Sequence, residues 1–245
     1  MAGGPPLTGD QVLSELDLLA RVEHALCVEY LSIMCALGPG PSAGAAFALA
    51  KREMRHLHEV NQALAAAGRP HQLGRASSIP GSSGAELALG PLRPEQLEGF
   101  RAHEREIASV VDERYARIQA ALESAEPPFD GELVQRLTFI LESDSRHAEL
   151  LFDPVDRLPR PAPPPDVPRS DELKRSLLEL SDRQYGLVLA HVAVWFAHED
   201  QPDPRLGGEL PGRGEALAAM DALDAILALL VARGLTPPFT VPAGV

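Results

Sequence analysis

Aromatic residues are scarce in this chain: one Trp, three Tyr and seven Phe, 4% of 245 residues. Alanine and leucine dominate an apolar fraction of 45%. That balance favours helices packed through small aliphatic side chains over a sheet protein. Basic residues are also in short supply, with 22 Lys and Arg against 35 Asp and Glu and a net charge of −13. Nucleic acid and anionic membrane surfaces are thereby excluded as expected partners. The only cysteines, Cys27 and Cys35, lie eight residues apart on one predicted helix and cannot bridge each other there. Two free thiols in a helical core fit a reducing cytoplasm. The N-terminal Met1-Ala-Gly-Gly-Pro-Pro6 lacks the basic and apolar regions of a signal peptide. Long hydrophobic runs are missing too: the longest, Gly186 to Ala197, contains His191 and is too short to span a bilayer. No phosphate-cradling glycine loop, Gly-x-Ser-x-Gly or Cys-x-x-Cys occurs.

Proline (23) and glycine (20) are plentiful, and they cut the chain into six predicted helices. The first spans about Thr8 to Leu37, capped by Thr8 or Asp10, and the second about Ser42 to Ala67. The third runs from Pro94 to about Ser124, the fourth from Asp130 to Phe152. A proline-dense connector over 153–169 leads to a fifth helix from about Ser170 to His198 and a sixth from about Arg213 to Arg233. Short links join the first helix to the second and the third to the fourth, while some twenty-five residues separate the second from the third. That short–long–short pattern matches an all-α, ferritin-like four-helix bundle with one crossover, about 8–152, followed by two additional helices over 170–234 in one domain.

Carboxylates interrupt the apolar stripes of the first four helices at helical spacing. Glu23 falls between Leu19 and Leu26, and Glu53 and His56 fall between Leu49 and Val60. Glu104 follows Leu97 and Phe100 and precedes Ile107; Asp144 and His147 follow Leu137 and Ile140. The carboxylate-x-x-His spacing of Glu53–His56 returns ninety-one residues later in Asp144–His147. Two such pairs with one lone carboxylate from each of two other helices form the ligand pattern of a dinuclear bundle site. Buried together, four carboxylates call for compensating cations, and two divalent ions balance them. Mixed carboxylate and imidazole donors point to two iron ions, with manganese the alternative. Glu29 is the alternative to Glu23, and Glu142 the alternative to Asp144. Tyr30, two turns beyond Glu23, is the candidate catalytic residue, weighed against an ordinary core tyrosine. His24, His58, His71 and His103 read as surface residues or supports for ligands, and Cys27 as a small apolar filler.

Three stretches, Leu18-Leu-Ala-Arg-Val-Glu-His-Ala-Leu-Cys-Val-Glu-Tyr-Leu31, Arg52-Glu-Met-Arg-His-Leu57 and Ala65-Ala-Ala-Gly-Arg-Pro-His-Gln-Leu73, carry a likeness. They resemble the bacterial ferritin-like domain of the iminophenyl-pyruvate dimer synthase type, enzymes of bisindole pigment pathways. Leu97-Glu-Gly-Phe-Arg-Ala-His-Glu104 continues the resemblance, as do Tyr185-x-x-Val-Leu189 and Met220-x-x-Leu-x-x-Ile226 in the last two helices. The resemblance implies metal ligation by Glu23, Glu53, His56 and Glu104. The chain departs from the family on the fourth helix, where a compact Asp144-Ser-Arg-His147 replaces a Gly-Glu-Gly segment and a separated His. It is also shorter than the dimer synthases, which makes it a stand-alone relative. The expected function is a di-iron oxidase or oxygenase of secondary metabolism, acting with O2 on a small, amino-acid-derived molecule. Ferroxidase activity and a non-catalytic metal-binding protein are the alternatives, and a homodimer is the expected assembly. The expected pocket has walls from helices one, two and five, with Tyr30, Trp195 and the 68–92 loop near its mouth.

Overall fold

The computed structural model describes residues 6–37, 41–76, 94–142, 171–198, 211–235 and 237–240. Six helices and no strand occur among them: α1 (Gly9–Leu37), α2 (Pro41–Ala66), α3 (Pro94–Leu122), α4 (Gly131–Glu142), α5 (Asp171–Ala197) and α6 (Arg213–Val231). The expected helices thus form within a residue or two at nearly every described end. The expected continuation of α4 to Phe152, which would carry Asp144 and His147, lies outside the described residues.

Local chemistry fixes the ends. Thr8 and Gln11 form a capping box: the Gln11 backbone N–H donates to Thr8 Oγ1 at 3.4 Å, and Gln11 Oε1 accepts from the Thr8 N–H at 2.9 Å. Leu7 and Val12, at the flanking staple positions, are both buried. Thr8 is therefore the cap, and Asp10 sits in the first turn. Gly68, at φ 71°, ends α2 in the left-handed conformation, and the Arg69 N–H reaches back to Leu64 O at 2.9 Å. Later in the chain Gly212 (φ 78°) precedes α6. A Cβ there would lie 2.7 Å from the backbone nitrogen of Trp195, so glycine permits both the turn and the close approach of α6 to α5.

The first four helices close a ring in which α1 packs on α2, α2 on α4, α4 on α3 and α3 on α1. Sequential neighbours α2 and α3 are not among the packed pairs of described residues. Two antiparallel hairpins linked by a crossover produce that order. The α5–α6 hairpin lies outside the ring, with α6 against α1 and α5 against α2. Helix α1 is consequently covered on several sides, and its residues 22–35 are all buried.

The chain beyond α2 is stitched back onto the bundle. Buried Asn61 donates to Gln72 O at 3.1 Å and accepts from the Gln72 N–H at 2.6 Å. Gln72 in turn donates to Asp17 Oδ1 at 3.0 Å, and the Ala76 N–H to Arg21 O at 3.0 Å. Residues 69–76 thus form a strap across α1 and α2, joined to the C-terminal segment where Arg75 donates to Phe239 O at 2.8 Å. Replacing Asn61 with Ala leaves the Gln72 backbone groups without these partners. We expect Asn61→Ala to lower the unfolding free energy by about 2 kcal/mol, read from urea denaturation; a change within error would make the strap a passive feature.

Candidate metal centre

Glu23 on α1 and Glu53 and His56 on α2 meet in the bundle core. The two glutamates are 0% exposed and His56 is 5% exposed. His56 Nδ1 lies 3.2 Å from Glu53 Oε2 and 3.6 Å from Glu23 Oε2. One ligand atom from each residue falls within 4.8 Å of the others. Donors about 2.0–2.2 Å from one ion are at most about 4.4 Å apart, so a shift of a few tenths of an ångström would gather all three. The hydroxyl of Tyr115 on α3 donates to Glu23 Oε1 at 3.0 Å. That bond holds one oxygen of Glu23 while the other faces His56.

The electrostatics call for a cation. Burial pushes the Glu53 carboxyl from 4.5 up to about 8; its bond from His56 opposes the rise and the negative Glu23 adds to it. Glu53 Oε1 is buried with no hydrogen-bond partner among the described residues. Carboxylate oxygens only accept, and a divalent ion would meet that need and offset both charges. The donor set of two carboxylates and an imidazole fits iron or manganese. These residues therefore fit the expected metal.

No protein-family model matches the sequence, and no curated protein sequence does. A solved structure does match: a ferritin-like protein from Caulobacter vibrioides, at TM-score 0.66 and 13% identity, over 96% of this chain and 99% of that one. The fold is ferritin-like. At so low an identity the likeness concerns the path of the chain, and the ligand set rests on this chain's own residues.

Three of the six expected ligands are brought together in this ferritin-like core. Glu104 lies on α3, which packs on α1 and buries Ile107 and Val111, but its side chain is outside the described residues, as are Asp144 and His147 altogether. Between the alternatives on α1, Glu23 belongs to the cluster; Glu29 is also buried but is not a member of it. Tyr30 is wholly buried. The hydroxyl of Tyr115, which sequence reasoning passed over, is bonded to the candidate ligand Glu23. Its signal was available: Tyr115 extends the α3 series Ile107, Val111 by one more helical step.

A cavity of about 310 Å³ lies between α1, α2, α5 and α6. Its wall includes Cys27, one turn beyond Glu23, and Ala50 and Met54, which flank Glu53. Burial pushes the Cys27 thiol up to about 12, and the negative Glu53 adds to the rise, so the thiol sits within the field of the carboxylates. Tyr30 and Trp195 are not among the residues that line this cavity, and α6 supplies one wall. Trp195 packs instead against His58 and Phe196, with Arg213 over its ring.

His24 is a correction to the sequence reading. It is 1% exposed, covered by the strap and by α5. Its Nδ1 donates to Leu73 O at 2.8 Å, and Nε2 accepts from the Tyr185 hydroxyl. Burial lowers its ring to about 4, so it is neutral at ordinary pH. Phe239 meets the Tyr185 ring edge-on at 5.3 Å and closes the far side.

The raised Glu53 carboxyl gives metal-free protein a pH signature. Folded protein keeps a proton that the unfolded chain releases above about 4.5. Stability contributed by this group is therefore full below that value and lost as pH rises through about 8. In chelator, the melting temperature should fall between about pH 5 and pH 8, and Glu53→Gln should flatten the fall. An equally steep fall in Glu53→Gln would trace the slope to other groups.

Proposed function

We propose that this chain is a non-haem di-iron oxidoreductase that oxidises a small organic molecule with O2, a relative of the ferritin-like domain of iminophenyl-pyruvate dimer synthases. The observation that carries the reading is the buried Glu23–Glu53–His56 cluster, a donor set that a divalent cation would compensate when its carboxylates are ionised. Glu104, Asp144 and His147 complete the proposed ligand set by the repeat of the carboxylate-x-x-His pattern. When bound, a pair of Fe(II) ions supplies the electrons that reduction of O2 requires. The chain's part is ligation, orientation and exclusion of water. Tyr115 orients Glu23 through its hydrogen bond, and apolar walls keep the site dry. Tyr30 keeps its place as the proposed redox or hydrogen-bonding tyrosine of the core.

Support for an organic substrate, over ferroxidase activity alone, comes from the resemblance to the dimer synthases, and a 310 Å³ cavity lined by Cys27 and Met54, near Glu23 and Glu53 along their helices, offers space for one. The α5–α6 hairpin covers faces of α1 and α2 that a ferritin cage would need for pairing. No described helix is long and apolar enough to cross a membrane. Elemental analysis after anaerobic Fe(II) loading should give about two iron atoms per chain, and a Glu53→Ala/His56→Ala variant should lose them while keeping its helical circular dichroism. Iron oxidation that no organic compound accelerates would move the assignment to ferroxidase; equal metal content in wild type and variant would sink it.

The proposed partner in assembly is a second copy of the chain. Leu173, Leu180, Leu187 and Val194 recur every seven residues on α5 and are 49%, 45%, 47% and 43% exposed. A seven-residue apolar repeat is the seam of paired helices, and two-fold pairing offers the same stripe from both copies. Light scattering should give a dimer mass that Leu180→Glu/Leu187→Glu halves; a wild-type monomer at high concentration would reject this assembly.

A further inference from the structure

The α5–α6 hairpin is more than an external brace, because it creates the cavity. Tyr185 and Val188 of α5, with Leu223 and Leu227 of α6, form walls facing Leu31 and Ala50 of α1 and α2. The inner end is lined by His24 and Cys27, neighbours of Glu23 along α1, and by Met54, the neighbour of Glu53 along α2, while the candidate ligands themselves do not line it. The formal charges that line it are Lys51, Asp221 and Asp224, and all three are exposed to solvent. Lys51 lies over the ring of Phe47 at 4.9 Å, at the outer edge. Charge is therefore confined to the mouth, and the wall behind it is aliphatic apart from Cys27, His24 and Tyr185.

We propose that this cavity binds an uncharged, largely apolar small molecule whose buried end lies against Cys27. The physical reason is desolvation. A carboxylate or ammonium carried to the inner end would lose its hydration and meet no counter-charge among the described lining residues. At about 310 Å³ the cavity falls at the lower end of the size range of small-molecule sites. That the bound compound is a substrate rests on the di-iron reading above; that it binds here does not.

Calorimetry on the full chain with three probes sharing one ring tests this: 1-naphthol, 1-naphthoate and 1-naphthylmethylammonium. One-to-one binding of 1-naphthol is expected, with each charged probe weaker by about tenfold or more. Met220→Trp, which fills the cavity from α6, should weaken 1-naphthol by about tenfold or more. Leu217→Trp, at a 47% exposed mouth position, gives the same comparison where a larger side chain does not strain the core. The proposal is overturned by absence of 1-naphthol binding up to its solubility limit, by charged probes that bind as tightly, or by folded variants of undiminished affinity. Iron content measured on the same samples separates the two readings. Binding of 1-naphthol by the iron-free Glu53→Ala/His56→Ala variant supports the cavity assignment and leaves the metal question to elemental analysis. Iron-loaded wild type that ignores 1-naphthol defeats the cavity assignment alone.

Discussion

Two glutamates, Glu23 and Glu53, share the core of a bundle built mostly from alanine and leucine, and neither has any solvent exposure. Taking a carboxylate out of water costs several kcal/mol unless charge or hydrogen bonds replace the water. The surrounding structure is arranged around that cost. His56 supplies a ring nitrogen to both carboxylates, and Tyr115 reaches across from α3 to bond Glu23. What these groups leave unmet, seen at Glu53 Oε1 and in a carboxyl pushed up to about 8, is the demand that a metal ion fills.

Helix α1 bears the consequences. It supplies Glu23 to the cluster and His24 and Cys27 to the cavity, so one helix separates two chemically different spaces. Its burial on several sides explains how adjacent residues can both be interior. The bundle covers one side; the strap of residues 69–76 and the α5–α6 hairpin cover the rest. His24 is held between the strap carbonyl of Leu73 and the hydroxyl of Tyr185. Its orientation thus depends on three separate parts of the chain, which ties the shape of the cavity wall to the docking of the strap and of α5.

Periodicity made much of this legible. The apolar stripe of α1 (Val12, Leu16, Leu19, Leu26, Tyr30, Ile33) is buried throughout, and Leu49, Glu53, His56, Val60 and Ala63 are buried together on α2. A helix has one repeat, so a polar residue in phase with buried neighbours is buried with them. The Glu53–His56 pair could be read for that reason. His24 could not: it is out of phase with the stripe facing the bundle, and only the later strap and hairpin cover it. The same reason hid the α6 wall of the cavity, since pairing between α6 and α1 joins segments almost two hundred residues apart.

The amino-acid sequence by itself determined the helices, their ends and the inward face of each bundle helix. These follow from local capping, from proline and glycine, and from a 3.6-residue repeat. It also determined that Glu53 and His56 share a face, because residues three apart on a helix must. Only the tertiary structure decided that Glu23 rather than Glu29 meets that pair, that Tyr115 steadies it, and that α5 and α6 enclose a cavity against α1 and α2. Each depends on the axial register and rotation of one helix against another, which long-range packing sets and no local repeat encodes.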